Sequence, residues 1–127
     1  MIDDPIPTEI RLDASRRRLI VSFGEGEQFD LPSEYLRVYS PSADVAGHSP
    51  DSATLQVGKE NVKIRDVEPV GNYAVRLLFD DGHSAGIYSW TYLFRLGRDR
   101  EANWQDYLAR LSAAGHLRAE PDEMPER

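Results

Sequence analysis

No cysteine occurs among the 127 residues. That absence removes disulfides, thiolate nucleophiles, cysteine-ligated zinc and directly held iron–sulfur clusters, and it leaves imidazoles and carboxylates as the ordinary metal ligands. Imidazoles are scarce as well, at His48, His83 and His116. No apolar run approaches the roughly 18 residues of a membrane span, and the opening MIDDPIPTEI carries acids where a signal peptide carries bases. The expectation is a cytoplasmic protein with no membrane association. Positive charge is in the minority, 15 basic against 22 acidic residues for a net charge of −7, a balance that repels phosphate backbones and anionic head groups and disfavours nucleic-acid partners. Catalytic patterns are missing too. Gly24-x-Gly26 has neither a Walker lysine nor a long helix behind it, and no nucleophile elbow, Ser-His-Asp order or carboxylate pair stands out. A non-enzyme is expected.

What is present suffices for one core: 40% hydrophobic and 29% charged residues suit a single domain of this length. The domain is expected over residues 1–118, with its core over about 10–96. The chain also repeats itself. LIVSFGEGEQFDLPSEYL, residues 19–36, aligns with VRLLFDDGHSAGIYSWTYL, residues 75–93, placing Phe23 on Phe79, Gly26 on Gly82 and, after one inserted residue, Tyr35-Leu36 on Tyr92-Leu93. The second copy carries a histidine, His83, in its turn. The fold class expected is α+β, a small β-rich domain of two related strand–turn–strand–helix units followed by a C-terminal amphipathic helix.

Alternating Ile10 and Leu12 predict a strand over 9–13, and Asp13-Ala14-Ser15-Arg16 supplies a turn into a strand over 19–23. Gly24 and Gly26 allow a tight connection to a strand over 28–31, and Pro32 opens a helical turn carrying Tyr35 and Leu36 inward. Residues 40–51, SPSADVAGHSPD, read as a surface loop, the first place to look for binding. A hairpin about Gly71-Asn72 joins strands over 62–70 and 73–79. Ser89 is expected to cap a helix that Gly97 ends. Asp99 is expected to cap another, to about Ala114, that Trp104 docks on the sheet. His116 reads as solvated. The acidic segment 119–127 has little to bury and is expected to be disordered.

The motif Phe79-Asp80-Asp81-Gly82-His83-Ser84, followed by Tyr88-Ser89-Trp90-Thr91-Tyr92-Leu93, together with Tyr35-Leu36-Arg37-Val38-Tyr39-Ser40-Pro41-Ser42, resembles the gamma-butyrobetaine hydroxylase-like N-terminal domain family over about 10–96. In that family the domain occurs alone in bacteria, in front of an iron- and 2-oxoglutarate-dependent oxygenase domain, and attached to P-loop ATPases that carry iron–sulfur clusters. The resemblance therefore implies an accessory or adaptor domain whose partner is another protein, in iron–sulfur or iron-enzyme pathways. In the hydroxylases it also implies a zinc site of three cysteines and one histidine. On this chain the histidine falls on His83 and the cysteine positions on Ser40, Ser42 and Val45. Neutral hydroxyls bind zinc weakly and valine offers no donor, so the zinc is not carried over.

Two readings of His83 stay open. With Asp80 and Asp81 beside it, it can fix its turn through a hydrogen bond. Alternatively, it can join His48 and an aspartate among Asp44, Asp51, Asp80 and Asp81 as ligands for iron or another divalent ion. The candidate binding residues are thus His83, Asp81, Asp80, His48, Ser40 and Ser42, with His83 and His48 as the metal candidates. Tyr88, Trp90, Tyr92 and Phe94 read as core, or as a cage for a quaternary ammonium. Arg16-Arg17-Arg18, with Arg11, reads as a solvated basic hairpin end.

Overall fold

The computed structural model describes residues 5–24, 26–42 and 55–118. Strands β1 (Pro7–Leu12), β2 (Arg18–Phe23) and β3 (Gln28–Pro32) form one antiparallel sheet in the order β1-β2-β3, and helix α1 (Ser33–Val38) follows it directly. Strands β4 (Ile64–Val70), β5 (Ala74–Phe79) and β6 (Ile87–Ser89) form a second antiparallel sheet in the order β4-β5-β6. Helices α2 (Trp90–Arg98) and α3 (Arg100–Ala113) come after it. This is a β-rich α+β fold.

The central strands show why. Period-two alternation sends Leu19, Val21 and Phe23 of β2, and Val75, Leu77 and Phe79 of β5, into a shared core with Leu31, Ile64, Tyr88, Leu93 and Leu96. The β1–β2 turn closes as its residues dictate: the Asp13 carboxylate accepts from the Ser15 amide at 3.0 Å and hydroxyl at 2.6 Å. The arginine run then serves the fold. The Arg16 carbonyl accepts from the Ile64 amide at 2.8 Å, its guanidinium donates to the Ile64 and Arg65 carbonyls, and Arg18 pairs with Asp30 at 3.3 Å.

The repeat is carried down to single hydrogen bonds. In the first unit the Phe23 amide donates to the Glu27 carbonyl at 2.7 Å, and in the second the Phe79 amide donates to the His83 carbonyl at 2.9 Å. Gly26 and Gly82 hold φ values of 81° and 94° within these loops, in the region that glycine enters without steric cost. The short helices then lock each other reciprocally. The Tyr35 hydroxyl of α1 donates to the Leu96 carbonyl of α2 at 2.6 Å, and the Tyr92 hydroxyl of α2 donates to the Tyr39 carbonyl just past α1 at 2.5 Å. Tyr35 and Tyr92 are equivalent in the repeat, and so are the two acceptors, each four residues further along. Burial pushes both phenols up to about 12, so both stay protonated donors near neutral pH.

Two details differ from the sequence expectations. Gly97 lies inside α2 rather than ending it, because the Phe29 ring rests on its Cα: a Cβ there would sit 2.3 Å from the ring. Asp99 opens α3 without a side-chain cap, its carboxylate being held by Arg98 at 3.2 Å. Trp104 docks α3 against Tyr35 of α1, with ring centroids 6.2 Å apart, and packs on the core that the two sheets share. Ser89 does cap α2, accepting from the Tyr92 amide at 3.1 Å.

Candidate functional site

Helix α1 is buried on all sides, which is unusual for six residues that include Glu34 and Arg37. Both charges are neutralised from elsewhere in the chain. Glu34 is gripped by Arg118, whose Nε lies 2.7 Å from Oε2 and whose second nitrogen reaches Oε1, while the same guanidinium lies 5.1 Å over the Trp104 ring. Arg37 donates from Nε to Asp81 Oδ2 at 2.9 Å and from a terminal nitrogen to Gln56 Oε1 at 3.1 Å. Lys59 Nζ reaches the same Asp81 oxygen at 2.8 Å.

These ties bring α1 against the β5–β6 turn and place the sequence-selected residues. Just past α1, Ser40 and Ser42 are buried. The His83 Nε2 lies 2.9 Å from Ser40 Oγ and 3.3 Å from Ser42 Oγ, the two hydroxyl oxygens are 3.3 Å apart, and the Ser42 amide donates to Ser40 Oγ at 3.3 Å. The His83 ring leans on Phe79, 6.1 Å between centroids. Gly86 closes the other side: a Cβ there would meet Ser40 Oγ at 2.5 Å.

Asp80 and Asp81 stand in the same turn with other commitments. Asp80 Oδ1 accepts from the Lys63 amide at 3.0 Å, tying the turn to the approach to β4. Asp81 Oδ1 accepts from the His83 amide at 3.1 Å while Oδ2 takes Arg37 and Lys59. Burial alone would raise the Asp81 carboxyl. Hydrogen bonds from Lys59, the His83 amide and Arg37 outweigh it and lower the pKa to about 2. His48, Asp44, Val45 and Asp51 lie outside the described residues, and among the described residues no group of three or more His, Cys, Asp or Glu is placed to hold a metal.

The aromatic alternation that starts in β6 and runs into α2 does not assemble a cage. The Tyr88 hydroxyl donates to the Leu36 carbonyl at 2.6 Å, Trp90 Nε1 to the Asn72 carbonyl at 2.8 Å, and Phe94 packs edge-on against Phe23 and Phe29 at 5.2 and 5.6 Å. The Tyr92 ring already has Arg95 over it at 6.0 Å. On a different face, an open cleft of about 420 Å³ runs between β1 and the second sheet, lined by Pro7, Ile10, Val67, Pro69, Val75 and Trp90. Ile6 and Tyr73, 68% and 57% exposed, stand beside it in the chain or through the Trp90 amide, which donates to the Tyr73 carbonyl at 3.0 Å. Sequence reasoning missed this cleft, since its walls come from strands far apart in the chain.

A family model described as gamma-butyrobetaine hydroxylase-like, N-terminal, matches residues 10–94. The chain belongs to that family. Two solution structures determined by NMR are similar to it, at 46% and 45% identity and a TM-score of 0.79 each, covering 98% of this chain and 93% and 98% of theirs. A crystal structure of a protein of unknown function from Acidithiobacillus ferrooxidans, of the DUF971 family, is 41% identical with a TM-score of 0.60, covering 72% of this chain and 91% of that one. No curated protein matches.

Within the gamma-butyrobetaine hydroxylase-like N-terminal family, the zinc site that the resemblance implies does not fit the residues found here. His83, Ser40 and Ser42 do meet, but two alcohols and one imidazole at hydrogen-bonding separations replace a thiolate set. Alcohols keep their protons near neutral pH, and zinc selects thiolate, imidazole or carboxylate donors.

Proposed function

We propose that this domain is a non-catalytic accessory module of the cytoplasm that docks on another protein, serving an iron–sulfur or iron-dependent protein as the company kept by its family implies. The observation that carries the reading is the cleft between β1 and the second sheet. It presents Trp90, Val67, Ile10 and two prolines, with the exposed Ile6 and Tyr73 beside them. Exposed aromatic and aliphatic groups around a concave surface are the composition of protein contacts. The polar groups at the α1 junction support the non-catalytic half of the reading. Asp80, Asp81, Arg37 and Glu34 each hold a backbone group or an opposite charge, and a buried hydroxyl such as that of Ser40 is shut off from any substrate.

Ile6→Glu and Tyr73→Glu test the cleft, because both side chains are exposed and the changes leave the core intact. Tagged wild-type protein is expected to retain a partner from native lysate, and either variant is expected to lose it while keeping the wild-type melting temperature. Equal retention by wild type and both variants, or nothing beyond a tag-only control, would overturn the reading.

A further inference from the structure

We infer that the Ser40, Ser42 and His83 cluster is a metal-independent clasp that joins the two repeat units of this chain, at the position where a thiolate-bearing relative would place a metal. Ser40 and Ser42 follow α1, the last element of the first unit; His83 lies in the turn of the second. Crossing that junction, therefore, are an imidazole and two hydroxyls linked by contacts of 2.9 and 3.3 Å. The buried hydroxyls find partners inside the cluster: Ser40 Oγ takes the Ser42 amide and hydroxyl as well as the imidazole, and Ser42 Oγ also meets the imidazole. Buried polar groups satisfied in this way stabilise and orient a junction without an ion.

Two neighbours explain how the clasp is held. Gly86 lets the backbone close on Ser40, since any Cβ would strike its Oγ. On the other flank the Asp81 carboxylate receives the His83 amide and two cationic side chains, Arg37 and Lys59, which fixes the turn that carries His83 on α1. A hydrogen-bonded clasp needs neither a metal supply nor reduced thiols, which matches a chain with no cysteine.

Melting temperatures of the full chain, measured with zinc alone, with iron(II) alone under anaerobic conditions and with chelator, test the inference alongside a mutant cycle. Wild type is expected to melt at one temperature in all three conditions. Ser40→Ala and His83→Ala are each expected to lower it by about 4 °C, the effect of roughly one net hydrogen bond. The double variant is expected to fall by less than the sum, because the two changes remove one shared interaction. His83→Gln, which keeps a hydrogen-bonding side chain but no imidazole, is expected to retain more of the melting temperature than His83→Ala and gives a second reading if the alanine variant does not fold. A rise with zinc or iron(II) that disappears in His83→Gln would overturn the inference, as would strictly additive losses in the cycle.

Discussion

Asp81→Ala is expected to destabilise the protein by about 2 kcal/mol in urea unfolding, below the range for removing one partner of a fully buried ion pair because the Asp81 side chain remains 24% exposed. Arg37 is the reason. Its side chain is only 8% exposed, and Asp81 is the carboxylate that its Nε contacts, 2.9 Å away. Lys59 and the His83 amide lose the same acceptor. Gln56 remains as a neutral acceptor for Arg37 and lessens the loss without matching the charge. The dependence on pH follows from the lowered carboxyl. A group ionised more readily in the folded than in the unfolded chain binds fewer protons when folded, so its contribution is complete above its ordinary value of 3.8 and disappears as the pH falls towards about 2. Wild type should therefore lose stability across that window faster than Asp81→Ala, and the gap between them should narrow. A gap of constant size from pH 6 to pH 2 would show that Asp81 does not act through its charge.

Gly97→Ala sets two effects of opposite sign against each other. Alanine is favoured over glycine inside a helix by about 1 kcal/mol, and Gly97 lies within α2. Overpacking a closed site costs about 1–3 kcal/mol, and the added Cβ would fall 2.3 to 2.6 Å from three atoms of the Phe29 ring. Phe29 has little room to yield, because its ring meets Phe23 and Phe94 edge-on at 5.9 and 5.6 Å. The clash is expected to win, leaving a net loss of about 1–2 kcal/mol. Phe29→Leu should recover part of it in the double variant. A gain in stability for Gly97→Ala alone would mean that the three-ring cluster shifts freely.

The repeat was legible because it is written in residue types. Phe23 and Phe79 close the core side of equivalent strands, Gly26 and Gly82 supply equivalent positive φ values, and Tyr35 and Tyr92 hold the third position of equivalent helices. The meeting of Ser40 and Ser42 with His83 was legible only through the family resemblance, since nothing local indicates that a hydroxyl at Ser40 faces a ring 43 positions further along the chain. Other features were invisible for a common reason: their partners are chosen by tertiary geometry. Arg37 and Glu34 look like the solvated face of a short helix, yet Asp81 and Arg118 cover them from 44 and 84 residues away. The tyrosine ring positions could be read as core, but which carbonyl each hydroxyl reaches could not. Gly97 resembled a helix stop because glycine usually is one; a ring pressed against its Cα is a contact that no local pattern records.

If the inferred clasp is right, the residues meeting at the α1 junction hold the fold by themselves, with no metal. Metal content of untagged protein, purified without chelator and handled both aerobically and anaerobically, tests it most directly by inductively coupled plasma mass spectrometry. Far less than one equivalent of iron, zinc or any other divalent metal is expected in both preparations, unchanged in His83→Gln. About one equivalent in the wild type that is lost in His83→Gln would contradict it and would make His83 a ligand.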